Sequence, residues 1–507
     1  MKRRKSAPTF KPYIQNQPSL LPPSLDERIP ANHPVRVVNQ VVDSLDLSAL
    51  LEGYQGGGSS SYHPAMLLKV IVYAYLRNIY STRRMEEALT ENIHFMWLSG
   101  DSQPDHNTLA RFRSRRLKNK VRSIFSQVVE LLVEAGQVSL KEGFLDGTKI
   151  EANANRYTFV WGKAIKTNKE KMKQQLKDLL DYTDKLAATE TGPTPEFEAI
   201  NAEQVKETIA RINEALKEKE VDPKVKQKLR YAEKNWPAAL ERYEKQEDIL
   251  GQRNSYCKTD PDATFMRMKE DHMGNGQLKP GYNVQVTSEN QYITNYTLHP
   301  NPTDTRTLPE HIESFKQLHG TVPEALTADA GYGSEENYEC LATEGIEAFV
   351  KFNRFDSEQN KGIDPFNPDA WEYNAQRDCF ICPQGRELVH VSQSKRITAS
   401  GYEQQLDRYQ SLSCAECPLK VKCTKSENER QIAISHKLRA HKQTARSKLT
   451  SEEGVVRRKQ RCHDVETVFG QIKQNKGFRK FNLRGKAKVE VEFGILAIAH
   501  NLAKLAA

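Results

Sequence analysis

Three acidic residues that lie far apart in the sequence have the surroundings of acids that could share one metal site. Asp146 ends the apolar run Gly143 to Leu145, and Asp329 ends a similar run, Ala325 to Ala328. Glu466 stands on a segment with helical periodicity. Carboxylates are ligands that Mg²⁺ prefers, and two such ions can activate a water or a 3′-hydroxyl for phosphoryl transfer. We therefore predict that the three acids meet and bind divalent metal for chemistry on DNA.

The elements that must position these acids are predicted by the apolar residues around them. A short apolar run that ends in an acid predicts a buried strand with the acid projecting from its end. Around Glu466 an apolar stripe recurs at helical spacing, formed by Val465, Val468, Phe469 and Ile472. This stripe predicts a buried helix face with the acid at its margin. Taken singly, each acid has an ordinary alternative, as a turn residue or a solvated helix residue.

The composition favours a polyanionic partner. The chain has 507 residues, a formal net charge of +9 and 28% charged residues. Such a length allows roughly two to four domains. The basic start, Met1 to Lys5, has no apolar run behind it, and no stretch reaches the roughly 18 apolar residues of a membrane span. We predict a cytoplasmic protein that associates with nucleic acid.

The first 136 residues predict an extended arm followed by a helical unit. Residues 1–34 are rich in proline and polar residues, which predicts an extended arm. Within the helical unit, the segment Leu109 to Lys120 predicts a basic helix that carries Arg111, Arg113, Arg115 and Arg116. Three short helices that end in a basic one are typical of a helix-turn-helix reader of DNA. The alternative is a solvated basic face on an ordinary bundle.

The rest of the chain predicts an α/β core with two insertions. The Asp146 strand, a hairpin between Tyr282 and Leu298, and the Asp329 strand alternate with helices, which predicts a mixed sheet with flanking helices. A long, charged, helix-forming stretch predicts an inserted arm, and a later cysteine-bearing stretch looks irregular. The predicted boundaries are 1–34 for the arm, 35–136 for an all-helical N-terminal domain, 137–162, 253–351 and 451–507 for the core, 163–252 for the helical insertion and 352–450 for the cysteine-rich insertion.

Two cysteine pairs predict a structural zinc site. Cys379 and Cys382 form one Cys-x2-Cys pair, and Cys414 and Cys417 form the other. Four thiolates suit a tetrahedral zinc ion. Cys423 follows the second pair closely and could replace one of its members. A set of reduced cysteines in a loop is the alternative.

An ordered series of sequence blocks resembles bacterial insertion-sequence transposases of the DDE class with an N-terminal helical domain. The blocks are Tyr62 to Pro64, Ser81 to Glu86, Pro104 to Thr108, Arg111 to Arg113, Asp146 to Ala154, Asp260 to Ala263, Tyr282 to Gln285, Ala328 to Tyr332, Val465 to Lys473 and Arg484-Gly485. The resemblance implies an RNase H-like core. In that core Asp146, Asp329 and Glu466 would be the catalytic acids and the ligands of Mg²⁺ or Mn²⁺.

One block departs from the pattern of related transposases, which often show Tyr-x2-Arg-x3-Glu-x6-Lys around the third acid. Glu466 and Lys473 fit this pattern. Cys462 takes the arginine position, with Arg461 beside it, and Lys459 takes the tyrosine position. Because a metal-carboxylate site on DNA needs cations nearby, we expect Lys473 and Arg461 to contact phosphates.

The resemblance implies a transposase that cuts DNA at the ends of an insertion sequence and joins the 3′-hydroxyl ends to target DNA. Its partners would be double-stranded DNA, at the terminal inverted repeats and the target, and further copies of the chain in a dimer or larger complex. In a bacterial cell it would be cytoplasmic and associate with the nucleoid when bound to DNA. Two alternatives stay open: a metal-dependent nuclease of the same fold without strand transfer, and an inactive DNA-binding protein derived from a transposase.

Overall fold

The N-terminal part of the structure is helical. The computed structural model describes residues 23–54, 61–187, 200–268 and 276–507, so residues 1–22 of the predicted arm lie outside it. The helices are α1 (Leu25–Arg28), α2 (Pro34–Ser44), α3 (Ser48–Leu51), α4 (Pro64–Leu76), α5 (Thr82–Glu91), α6 (Ile93–Ser99), α7 (His106–Arg111) and α8 (Val121–Glu134). Prolines open α2 and α4, where the missing N–H has no helical partner to lose.

The predicted basic helix from Leu109 to Lys120 is wrong in extent. Helix α7 ends at Arg111 and is followed by a π-helical turn, Phe112–Arg116. Phe112 and Leu117 are five residues apart and are both buried. A π turn has the wider spacing that brings residues at this separation to the same side, which accounts for the interruption.

A mixed sheet and an inserted helical arm follow along the chain. Their elements are β1 (Glu142–Glu151), β2 (Phe159–Trp161), α9 (Gly162–Ala187), α10 (Ala202–Ala215), α11 (Pro223–Leu250), β3 (Ser255–Cys257), β4 (Thr264–Arg267), β5 (Leu278–Glu289), β6 (Tyr292–His299), α12 (Leu308–His319), β7 (Ala325–Ala328), α13 (Glu335–Thr343), β8 (Glu347–Val350) and α14 (Phe355–Lys361). Helices α9 to α11 pack around an apolar cluster of their own.

Strand β1 lies in the middle of the main sheet. The strand order is β4-β5-β1-β7-β8, and β6 also pairs with β5. Strand β1 is antiparallel to β5 and parallel to β7. Asn290 and Gln291 both have positive φ and close the two-residue turn between β5 and β6, as such hairpins require. The predicted α/β fold, with a mixed sheet, flanking helices and a helical N-terminal region, is confirmed.

Residues 352–450, predicted to be irregular, contain a second sheet. Their further elements are β9 (Glu372–Asn374), β10 (Cys379–Ile381), β11 (Glu387–Ile397), β12 (Glu403–Ser411), α15 (Lys420–Cys423), β13 (Gln431–Ile434) and α16 (His436–Thr450). The strands form one antiparallel sheet in the order β13-β12-β11-β10-β9. Most of β11 is exposed and polar on both faces, so it lacks the alternation of apolar and polar residues by which strands are predicted.

The last segment is helical and covers the core. It comprises α17 (Glu452–Arg461), a π turn (Cys462–Glu466), α18 (Thr467–Gly470), a second π turn (Gln471–Asn475) and α19 (Lys486–Leu505). Helix α19 is buried along most of its length and packs against α4, α8 and β6. Nowhere in the described residues is a helix long and apolar enough to cross a membrane.

Asp260 and Asp262, two residues of the sequence blocks, hold the start of α19. The carboxylate of Asp260 accepts hydrogen bonds from the Tyr282 hydroxyl and from the Gly485 backbone N–H. Asp262 accepts one from the Lys486 backbone N–H, with a donor–acceptor distance of 2.8 Å. Acids suit this place, because the first N–H groups of a helix lack partners within it.

Candidate active site

The pairing of β1 with β7 brings Asp146 and Asp329 side by side. In this parallel pair Leu145 is opposite Ala328. Each acid is the next residue on its strand, so the two acids stand at the same level of neighbouring strands. Asp146 is buried and Asp329 is partly exposed. The two apolar runs thus deliver their acids to one place, as the sequence predicts.

Backbone N–H groups orient both carboxylates. The Oδ1 atom of Asp146 accepts a hydrogen bond from the Gly147 N–H at 2.8 Å. Asp329 precedes a 3₁₀ turn, Ala330–Tyr332, and its Oδ1 accepts from the Gly331 N–H at 2.8 Å. Each acid is therefore fixed by the backbone that follows it.

A π turn carries Glu466 to the same side of the sheet. The turn is anchored by Val465, which is fully buried, and by Asp464, whose Oδ1 accepts a hydrogen bond from the Gln291 N–H at 2.7 Å. The Glu466 side chain itself is about half exposed, at 52%. The hairpin turn between β5 and β6 thus sets the position of the turn that bears the third acid.

Arg461 links the helix acid to the strand acid. Its Nη2 lies 3.0 Å from Glu466 Oε1, and its Nη1 lies 3.5 Å from Asp146 Oδ2. Burial by itself would lower the pKa of Arg461, but Asp146, Asp329, Cys462 and Glu466 together hold that pKa above its ordinary value. By its contacts the guanidinium lies between Asp146 and Glu466.

Asp304 is a fourth acid at this place, and sequence reasoning missed it. Its Oδ1 accepts hydrogen bonds from the side-chain amides of Asn283 at 2.7 Å and Gln285 at 2.8 Å. A Cβ atom on Gly147 would collide with this oxygen, so Asp304 lies directly against the residue after Asp146. The two amides on buried strand β5 were the available signal, because buried amides need polar partners.

Tyr332 is a buried tyrosine whose hydroxyl group bonds to Gln285, a neighbour of Asp304. Its hydroxyl donates a hydrogen bond to Gln285 Oε1. Burial raises the Tyr332 pKa well above its usual range, and Asp304, Asp146 and Asp329 raise it further. The phenol is therefore protonated at neutral pH and serves as a hydrogen-bond donor behind the acids.

The predicted DNA-binding residues do not share one surface. Arg111 and Arg115 are exposed. Arg113 is buried and donates from Nη1 to the Tyr75 hydroxyl and the Tyr80 carbonyl, which contradicts its predicted place on a DNA-binding face. Arg116 donates to the Gly53 carbonyl and lies over the Tyr54 ring. Lys473, in the second π turn, is buried.

The five clustered cysteines lie in two parts of the second sheet, two of them at β10 and three between β12 and β13. Cys379 is buried in β10, whereas Cys382 follows the end of that strand. Cys414, Cys417 and Cys423 lie between β12 and β13. Within the described residues, no group of three or more His, Cys, Asp or Glu side chains is placed so that it could hold a metal ion, either here or among the acids.

Two segments match known protein families. Residues 381–506 match the family described as "Transposase DDE domain", and residues 23–115 match "Transposase domain (DUF772)". These matches indicate an insertion-sequence DDE transposase. No curated protein and no solved structure matches the chain. The DDE match includes Glu466 and Arg461, while Asp146, Asp304 and Asp329 lie outside both matched segments.

The family and the fold agree. A mixed sheet with flanking helices is consistent with the RNase H-like core of a DDE transposase, and the second match covers helices α1 to α7. A DDE domain implies an enzyme of the nuclease and transposase type, with DNA as its substrate. Enzymes of this family typically use divalent metal.

Proposed function

We propose that this transposase cuts DNA at the ends of an insertion sequence and transfers the freed 3′ ends to target DNA. Asp146, Asp329 and Glu466 would be the catalytic acids. The observation that carries the proposal is their common neighbour: Arg461 contacts Asp146 and Glu466, and Asp329 stands beside Asp146 in the sheet. Carboxylates from two rigid strands and one helix suit a site that must hold its geometry.

The acids are the residues that would hold Mg²⁺ or Mn²⁺. Hard oxygen ligands are the donors these ions take, and phosphate oxygens and water complete their coordination. When bound, two such ions activate the attacking hydroxyl and stabilise the leaving oxygen. The half-exposed Glu466 side chain leaves the site open to a DNA strand on the side of the π turn.

Arg461 has a second role in this proposal. Its Nη1 is buried without a hydrogen-bond partner in the described structure. With Asp146 holding a metal ion, the Arg461 guanidinium would be free to turn from that carboxylate, and Nη1 would donate to a DNA phosphate. A planar guanidinium suits phosphate geometry well. The exposed Arg111, Arg115 and Arg116 are the further residues that we propose to bind DNA. Lys473 is buried and would meet a phosphate only if DNA binding uncovered it.

The chemistry exchanges phosphodiester bonds. In the first step a water oxygen attacks phosphorus at the element end, and the 3′ oxygen leaves as a hydroxyl. In the second step that 3′-hydroxyl attacks a phosphodiester of the target, and the target's own 3′ oxygen leaves. Since one phosphodiester replaces another, the second step needs no external energy source. Two ends must be held together, so we propose a homodimer or larger active complex.

Cleavage of a labelled end fragment tests the catalytic acids. Asp146→Asn, Asp329→Asn and Glu466→Gln should each abolish cleavage in Mg²⁺ or Mn²⁺ while DNA binding persists. Asp178→Asn, at an exposed position of the inserted helical arm, is the matched control and should cleave normally. Full activity in any one of the three acid variants would reject the assignment of that acid.

Strand transfer separates the proposal from its rivals. A precut end with a free 3′-hydroxyl should join to plasmid DNA. Cleavage without joining would instead identify a nuclease, and binding without either reaction would identify an inactive DNA-binding protein. We also propose a structural zinc ion in the cysteine-bearing segment, where four thiolates would hold it.

A further inference from the structure

The second sheet separates one of its five cysteines from the other four. Side chains alternate between the two faces of a strand, so Cys379 and Phe380 in β10 point to opposite faces. Phe380 belongs to an apolar cluster with Tyr409, and Cys382 and Cys423 pack against this same cluster. Cys379 is only 1% exposed and does not share the face on which the other two lie.

Hydrogen bonds tie the loop that begins at Cys382 to the loop that contains Cys414. The Cys382 N–H donates to the Arg386 carbonyl at 2.9 Å, which closes a tight turn. The Arg386 Nη1 atom then donates to the carbonyls of Ser413 at 2.8 Å and Ala415 at 3.0 Å, on either side of Cys414. One arginine therefore fixes the two cysteine-bearing loops to each other.

The remaining two thiols belong to the same loop. The Cys417 N–H donates to the Cys414 carbonyl at 3.4 Å, so these two cysteines share one turn. Three residues after Cys417 the short helix α15 begins, and it ends at Cys423. The Sγ of Cys414 accepts a hydrogen bond from the Arg430 N–H at 3.4 Å, a contact that also stabilises a thiolate.

We propose that Cys382, Cys414, Cys417 and Cys423 bind one Zn²⁺ ion in a structural site, and that Cys379 is not a ligand. Four thiolates at about 2.3 Å complete a tetrahedral zinc site and leave no open position for chemistry. The four thiols do not form a metal-binding group in the described residues, so binding of the ion would draw their Sγ atoms together. The ion would join the β10–β11 turn to the long connection between β12 and β13.

Metal content of the purified full chain tests the proposal. The wild type should hold about one equivalent of zinc, measured by mass spectrometry after removal of free metal. Cys382→Ser and Cys423→Ser should each lose most of it. Cys379→Ser is the matched control, since it removes another buried thiol of the same segment, and should retain the full equivalent.

A second pair of measurements guards against variants that merely fail to fold. Cys423→His keeps a zinc ligand, so it should retain zinc, and its Co²⁺ form should show an absorption spectrum shifted from that of the wild-type protein. Wild type without zinc after reconstitution would overturn the site. Loss of zinc in Cys379→Ser together with its retention in Cys423→Ser would overturn the ligand set. Neither readout depends on DNA cleavage.

Discussion

Arg461 reaches Glu466 across a π turn, with Nη2 3.0 Å from Oε1. In a regular α-helix, residues five apart point in different directions, whereas the wider π turn brings them towards the same side. The turn therefore allows an arginine five residues before the acid to contact it. This contact places a fixed positive charge where the proposed metal ions would bind.

Replacement of Arg461 should reveal this competition. In Arg461→Gln the acids lose their internal cation, and breaking a buried ion pair costs up to about 3–5 kcal/mol. We expect a lower melting temperature without metal and a larger rise on addition of Mg²⁺ than in the wild type. DNA cleavage should fall because Nη1 no longer meets phosphate. An equal Mg²⁺-dependent rise in both proteins would contradict this role.

Asp304→Asn should lower the apparent affinity of the candidate active site for divalent metal. The substitution keeps the shape of the side chain but removes a charge beside Asp146 and Asp329. Loss of a group that supports metal ligands typically costs about 10–100-fold in metal affinity or activity. We expect the Mn²⁺ concentration for half-maximal cleavage to rise by about that factor, measured on the labelled end fragment. An unchanged Mn²⁺ dependence would show that Asp304 serves the fold alone.

Gly147→Ala should displace Asp304 through a steric clash. Its Cβ atom would come closer than 3 Å to Asp304 Oδ1 and to the Gln285 amide. We expect lower thermal stability and loss of cleavage, with DNA binding retained. Gly470→Ala is the matched control, because no atom lies within 4 Å of its Cβ position and alanine favours a helix by about 1 kcal/mol. Equal melting temperatures for Gly147→Ala and the wild type would contradict the close approach.

The arginines at the end of α7 and in the π turn that follows it should separate into two classes. Arg115→Ala and Arg111→Ala remove exposed cations, so each should weaken DNA binding. Each should also reduce the slope of log K for DNA against log salt concentration by about one, the change expected for one lost phosphate contact. Arg113→Ala should instead lower stability by about 1–3 kcal/mol, because its partners Tyr75 and Tyr80 lose a buried donor. Salt titrations of binding and urea unfolding of the three variants distinguish these effects. A normal stability of Arg113→Ala would refute its assignment to the core.

Stability should fall in mild acid partly through His500. This residue lies on α19 near the Gln291 carbonyl, and burial lowers its pKa to about 4. Between that value and the ordinary pKa of 6.5 the unfolded chain binds a proton that the folded chain does not, so stability is lost as pH falls through this window. From pH 7.5 to 5.0 the loss is about 2 kcal/mol. His500→Gln should lose correspondingly less in urea unfolding, and an identical pH dependence would contradict the shift.

The main sheet and two of its acids could be predicted because their signals are local. An apolar run followed by Asp146 or Asp329 predicts both the strand and the place of the acid. Asp304 could not be found in this way, because its partners Asn283 and Gln285 and its neighbour Gly147 are adjacent only after folding. The sequence likewise cannot distinguish the buried Arg113 from the exposed Arg115, since both belong to one basic run.

The second sheet could not be predicted from the sequence for a different reason. Its strand β11 exposes polar residues on both faces, so no alternating pattern marks it. Cys379 lies in strand β10, so alternation places it on the face opposite Phe380. The spacing of the cysteines in the sequence does not show this.

The burial of α19 against both the N-terminal helices and β6 has a consequence for synthesis of the protein. A ribosome delivers α4, α8 and β6 well before residues 486–505, which cover their apolar faces. At about 5–20 residues per second, the interval after His299 lasts roughly 10–40 s. During that time the nascent chain exposes apolar surface suited to chaperones. Glu466 is added only late in this interval, and α19 only at its end, so competence to cut DNA can arise only after translation has passed these last helices.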